Sequence, residues 1–217
     1  DDSEGRIKGN EKIKASLPTL HYLMSQGATV VLTTHNGRPD GKFKRKLSHE
    51  YLWKRIEELY LEEYGEPVNV NFIKGSITES GIDSDSVKKE IQEGAINLLE
   101  NVRFYEGEET EEEAKADEFA QKLASLVDNE VYIFDAFGSA ARGVASGEPY
   151  VSSGRMAKYF KQVGMGFLME EEISQLQRAK DVLYGLILGG GPKLADKLPD
   201  IKGIVRNIEQ GGFVIIG

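Results

Sequence analysis

The chain alternates between short β-branched runs and longer segments whose apolar residues recur at helical spacing. Ala28-Thr29-Val30-Val31-Leu32-Thr33-Thr34 is short, β-branched and largely apolar, which predicts a strand buried on both faces. Residues 68–73 form a second, more alternating strand candidate. Further strands are predicted over 95–99, 131–134, 184–188 and 212–216. Helices fill the intervals. Residues 13–25 carry apolar residues at helical spacing and stop at Gly27. Residues 48–64 open on Ser48 as a cap and have Glu-rich polar faces. Helices are also expected over 84–92, 111–126, where Phe119, Leu123 and Leu126 share a face, and 166–182, with a last one starting at Pro192.

This alternation of strand and helix predicts an α/β protein: a Rossmann-like, three-layer parallel sheet with helices on both faces. The stretch 143–154 is rich in Gly, Ser and Pro and reads as a long loop. The acidic run 106–113 reads as a solvated loop leading into a helix. A domain junction is expected within 166–184, because a new strand and a glycine-rich turn follow it.

Composition narrows the picture. A length of 217 residues suits one sizeable domain, or one domain and part of another. The chain begins at Asp1, which reads as a processed or partial product. No apolar stretch approaches the roughly 20 residues needed to span a bilayer, and no secretory leader is evident. The absence of cysteine excludes disulfides and thiolate chemistry and is compatible with a reducing, cytoplasmic setting; an organelle or a cilium stays open. The net charge of −9 argues against nucleic acid and anionic membranes as partners. An anionic ligand would need a local cationic island. No cluster with metal-ligand spacing and no nucleophile triad stands out.

Such an island is legible at the strand ends, where open α/β sheets bind their ligands. His35-Asn36-Gly37-Arg38-Pro39 follows the first strand. Glu100-Asn101-Val102-Arg103-Phe104 follows the third. Arg142 follows the strand that ends at Phe134. Arginine offers a planar fork of donors that fits carboxylate and phosphate. One arginine is more often a surface ion-pair partner; three after three strands point to a small, multiply charged anion. His35 alone is weak, and beside Arg38 it becomes a second donor. His21 and His49 receive no role. A second feature is the turn Leu188-Gly189-Gly190-Gly191-Pro192-Lys193, in which a strand runs through three glycines into a helix start. Backbone donors there favour phosphate, and Lys193 and Lys197 share a helix face. The GxxxxGK[ST] and GxGxxG spacings are both absent, which argues against a P-loop and a dinucleotide-binding dehydrogenase.

In this order the motifs resemble phosphoglycerate kinase. The matching strings are Lys12-Ile13-Lys14-Ala15-Ser16-Leu17-Pro18-Thr19-Leu20, the His35–Pro39 string, Leu98-Leu99-Glu100-Asn101-Val102-Arg103-Phe104-Tyr105, Asp135-Ala136-Phe137-Gly138, Gly166-Phe167-Leu168-Met169-Glu170 and Leu188 to Lys197. The resemblance covers nearly the whole chain. It implies a 3-phosphoglycerate domain over 1–165, an interdomain helix over 166–183 and the start of a truncated nucleotide-binding domain over 184–217. It implies that His35, Arg38, Arg103 and Arg142 hold the glycerate phosphate and carboxylate. Catalytic roles fall to Lys12 and Lys193. Gly189, Gly190, Gly191, Lys193 and Lys197 would serve the phosphates of Mg-ATP or Mg-ADP. The implied reaction is phosphoryl transfer between 1,3-bisphosphoglycerate and ADP in glycolysis.

The departures from the family pattern are local. Lys12 stands where the family has an arginine, and a lysine cannot reproduce the guanidinium fork. Residues 1–9 show no opening strand with Asp-x-Asn. Asn36 replaces the usual leucine, and Ala141 and Val144 replace two histidines. Two expectations follow: a phosphoglycerate kinase whose chain is inactive by itself, or a catalytically degenerate relative serving as a binding or structural module in a larger protein assembly.

Overall fold

The computed structural model describes residues 9–110, 112–128, 130–137, 155–181, 185–188 and 213–216. Its helices are α1 (Glu11–Ser25), α2 (Trp53–Tyr64), α3 (Ser84–Glu90), α4 (Glu113–Ala124) and α5 (Phe167–Asp181). Its strands are β1 (Val30–Leu32), β2 (Val70–Ile73), β3 (Ile96–Leu99), β4 (Val131–Phe134), β5 (Gln162–Met165), β6 (Gly185–Leu188) and β7 (Phe213–Ile216). The α/β class and the parallel sheet expected from the sequence are both present.

β3 is the central strand of a three-stranded parallel sheet in the order β1-β3-β2. Every residue of β3 is buried, as a strand flanked on both edges and both faces must be. Side-chain alternation splits the core into two layers. Ile96, Leu98 and Val70 pack with Leu17 and Leu20 of α1 and with Ile56, Leu59 and Tyr60 of α2. Leu99 and Ile73 face the other way, onto Phe104 and onto Ala116, Phe119, Ala120 and Leu123 of α4. The one polar residue inside β3, Asn97, is fully buried and satisfied. Its amide nitrogen donates to the Val30 and Gln92 carbonyls at 3.2 and 3.0 Å, and its oxygen accepts from Gln92 N at 2.8 Å. Such saturation removes most of the penalty for burying an amide.

β4 and β5 form a second parallel pair, and β6 and β7 a third. β5 was not expected from the sequence. Its run Gln-Val-Gly-Met is short, contains a glycine and leaves Val163 and Met165 more than half exposed, so neither periodicity nor burial marks it.

Two local expectations need correction. Ser48 does cap, but it caps a 3₁₀ turn (His49–Tyr51) by accepting from Glu50 N; the α-helix starts later, at Trp53. The acidic stretch is not simply solvated. Glu106–Glu109 is a 3₁₀ turn in which Gly107 and Glu108 are buried. Gly107 permits this, because a Cβ there would lie 2.2 Å from the Tyr105 ring.

α5 is anchored at its start by residues from two other elements. Asp135, just past β4, accepts from Met169 N at 3.0 Å, satisfying one of the unpaired amides of the first helical turn. Thr19 of α1 donates to the other Asp135 oxygen at 2.6 Å and accepts from Phe167 N at 2.9 Å. A Cβ on residue 166 would lie 2.2 Å from the Asp135 carboxyl carbon, so Gly166 is what allows the carboxyl group to sit there. Among the described residues no helix is long and apolar enough to cross a membrane.

Candidate functional site

The site is built where the sheet ends. After β1 the chain turns sharply through residues 36–41. Gly37 and Gly41 have φ of 64° and 68°, and Asp40 also has positive φ, 60°. A Cβ at Gly37 would lie 2.9 Å from a Leu47 methyl, so glycine is needed there for both conformation and packing. The turn leaves His35 and Arg38 exposed and buries Pro39. Lys44 Nζ bridges the Arg38 carbonyl at 3.4 Å and Asp40 at 3.2 Å.

The residues after β3 grip this loop by its backbone. Val102 N donates to the Thr34 carbonyl at 3.3 Å. Asn101 Nδ2 donates to the Asn36 carbonyl at 2.8 Å. Arg103 Nη1 donates to the Gly37 carbonyl at 3.0 Å. Arg103 is only 3% exposed, and its Nη2 lies 3.2 Å from Glu109. The guanidinium thus braces the loop and is partnered by a carboxylate.

Beneath this contact is a buried polar cluster. Glu100, 2% exposed, accepts from Ser48 Oγ at 2.7 Å, from His49 N at 2.8 Å and from Asn101 N at 2.8 Å, while its own N–H donates to Ser76 Oγ at 2.8 Å. His49 Nδ1 lies 2.8 Å from the Leu99 carbonyl. A carbonyl only accepts, so Nδ1 carries the proton of the neutral ring and Nε2 is a lone pair; Nε2 is buried without a polar partner. Burial lowers the pKa of His49 below the usual histidine range, opposed by the Leu99 hydrogen bond and the Glu100 charge.

The structure therefore places His35 and Arg38, exposed, on the loop whose Gly37 carbonyl the buried Arg103 holds, with Arg103 also paired to Glu109. Lys12 is exposed on the first turn of α1. Arg142, Gly189, Gly190, Gly191, Lys193 and Lys197 lie outside the described residues, as do Ala141, Val144, the 143–154 stretch and the helix expected from Pro192. Among the described residues no group of three or more His, Asp or Glu side chains could hold a metal ion. Sequence reasoning gave no site role to Asn101, Glu100 or His49, and read Ser48 only as a helix cap. The available signal was Glu-Asn, two polar residues placed directly after an apolar strand.

A parallel α/β sheet with helices on both faces defines a Rossmann-like protein, and the loop bearing His35 and Arg38 lies at the strand ends where such sheets bind their ligands. The comparisons with known proteins are consistent with this and more specific. The phosphoglycerate kinase family model matches residues 1–217. Phosphoglycerate kinase of Dictyoglomus turgidum is 38% identical over 216 residues, which are 98% of this chain and 48% of that protein. The cytosolic phosphoglycerate kinase of Nicotiana tabacum is 37% identical over 211 residues, 96% of this chain and 47% of its own. The solved structure of phosphoglycerate kinase from Coxiella burnetii superposes with a TM-score of 0.68 at 25% identity, covering 100% of this chain and 49% of that one. The chain belongs to the phosphoglycerate kinase family, and it spans about half the length of the curated relatives it matches.

Proposed function

We propose that this chain is the substrate-holding half of a phosphoglycerate kinase, taking 3-phosphoglycerate as the acceptor or product of phosphoryl transfer between 1,3-bisphosphoglycerate and ADP. The observation that carries this reading is the loop bearing His35 and Arg38, held at the carboxyl end of β1 with its Gly37 carbonyl 3.0 Å from Arg103 Nη1. Exposed Arg38 and His35 supply donors to an incoming phosphate or carboxylate. For Arg103 to join them, Nη2 must exchange Glu109 for the ligand, one charge-assisted contact for another. Arg142 is the fourth member of this set by resemblance. Residues 1–165 then form the substrate domain. Residues 166–183, whose helix α5 is capped by Asp135, form the connection, and 184–217 begin the nucleotide domain, where Gly189–Gly191, Lys193 and Lys197 would meet the phosphates of Mg-ATP or Mg-ADP. A cytosol-like compartment fits the cysteine-free sequence.

Transfer needs both substrates held in line, so this chain by itself binds without turning over. Calorimetry with 3-phosphoglycerate tests the reading. The chain should bind one equivalent, and Arg38→Ala should weaken binding about tenfold or more, the loss of a charge-assisted pair. Equal affinity in the two proteins, or turnover by residues 1–217 in a coupled ATP-dependent assay, contradicts it.

One observation favours a second reading, a degenerate relative kept as a binding or structural module. Lys12 replaces the family arginine, and arginines that serve moving phosphoryl groups elsewhere are worth roughly 10³–10⁵ in rate. Lys12→Arg in a protein that includes the nucleotide half should raise turnover if that fork is the defect.

A further inference from the structure

We propose that Asn101 is a positioning residue for the 35–38 loop, acting on backbone carbonyls rather than on ligand. The proposal rests on the reading of this rim as a 3-phosphoglycerate site and names the group that shapes it. Three carbonyls of the segment, at Thr34, Asn36 and Gly37, each accept from a donor delivered by three successive residues: Val102 N, Asn101 Nδ2 and Arg103 Nη1. This turns the peptide oxygens of the loop toward the sheet, while His35 and Arg38 stay exposed. Of the three donors, Asn101 Nδ2 also reaches a second loop, at the Leu47 carbonyl, 3.0 Å away. Leu47 is the residue on which Gly37 packs. One amide therefore sets the separation between the cationic turn and the segment beneath it.

Asn101 is itself held rigidly. It is fully buried, its N–H donates to Glu100 Oε1, and its Oδ1 accepts from Arg103 N at 3.2 Å. Its side-chain oxygen is thus held by Arg103 N while its nitrogen spans the Asn36 and Leu47 carbonyls. A buried amide of this kind has no freedom to find replacement partners, so losing its donors is felt by the carbonyls they served. A second buried asparagine, Asn97 inside β3, offers an internal control, because it donates to the Val30 and Gln92 carbonyls toward the opposite end of the strand.

The test compares Asn101→Asp with Asn97→Asp in the 217-residue chain. Each change replaces the donating amide by an oxygen facing carbonyls. Both should lower the thermal midpoint. Only Asn101→Asp should weaken 3-phosphoglycerate binding, by about tenfold, measured calorimetrically where both variants are fully folded. Asn101→Ser, which keeps one short donor, should recover part of the affinity, and it replaces Asn101→Asp if the latter does not fold. ¹⁵N relaxation without ligand gives a second readout: residues 35–38 should become more mobile in the Asn101 variants and stay unchanged in Asn97→Asp. Affinity losses that are equal at the two positions, or an unchanged loop, overturn the proposal. If the unaltered chain does not bind 3-phosphoglycerate, the functional reading fails on that result, and relaxation alone decides whether Asn101 positions the loop.

Discussion

At the carboxyl end of β3, Glu100, Asn101 and Arg103 spend their hydrogen bonds on the backbone of two loops. At the carboxyl end of β4, Asp135 spends its own on Thr19 and on the first turn of α5. Both sets sit where a parallel sheet offers its ligand-binding edge, and neither is free to contact a ligand with its full donor or acceptor capacity. The first holds a turn that presents cations. The second holds the start of α5 against α1. Strand-end polar residues in this chain chiefly hold loops and helix starts, and in the reading proposed above the exposed residues of the held loop, His35 and Arg38, meet the ligand.

The comparison breaks most visibly at Glu100. Glu100→Ala leaves the buried Ser48 Oγ, His49 N and Asn101 N without their acceptor. Each such loss costs about 1–3 kcal/mol, so the total should reach about 3 kcal/mol or more. Urea unfolding should show a lower midpoint with an unchanged slope. A loss below about 1 kcal/mol would mean that the β3 frame is dispensable.

At the other frame, Gly166→Ala forces a methyl group into the Asp135 carboxyl and displaces the cap of α5. Overpacking together with the lost cap should cost about 1–3 kcal/mol. Hydrogen exchange should quicken at the start of α5 and remain unchanged at 35–38. Loosening of both regions would show that the two frames are one.

The smallest effect is the pH dependence set by His49. Its folded pKa is lowered, chiefly by burial, so protonation favours the unfolded chain. The stability it contributes is complete above the unfolded histidine pKa of about 6.5 and is lost as pH falls toward the folded value. His49→Asn keeps a donor for the Leu99 carbonyl and removes the titration. Its stability should fall less steeply than that of the unaltered chain as pH drops below about 6.5. Parallel curves would show that His49 does not titrate in this window.

Much of the architecture was legible. The buried run at β3 and the amphipathic spacing of α1, α2 and α4 follow from patterns that burial imposes on sequence, whereas β1, expected to be buried on both faces, is only half-buried. β5 was not legible, because an edge strand with a glycine and an exposed face carries no such pattern. That His35 and Arg38 follow β1 and Arg103 follows β3 was legible from position alone. Their supports were not. Asn101 and Glu100 act through distances to Asn36, Leu47, Ser48 and His49, residues about 50 or more positions away, and only the folded chain sets those distances. The burial of Glu108 was likewise hidden, since a run of acidic residues gives no sign that Tyr105 folds over its center.

The central claim is that the cationic loop is the contact surface and the strand-end residues are its frame. The most direct measurement is a ¹H–¹⁵N NMR titration of the chain with 3-phosphoglycerate. Saturable shifts should be largest at residues 35–38 and at Arg103, with little change at Asn97 or around Met169. No shift at millimolar ligand, or shifts centred away from that loop, would contradict it.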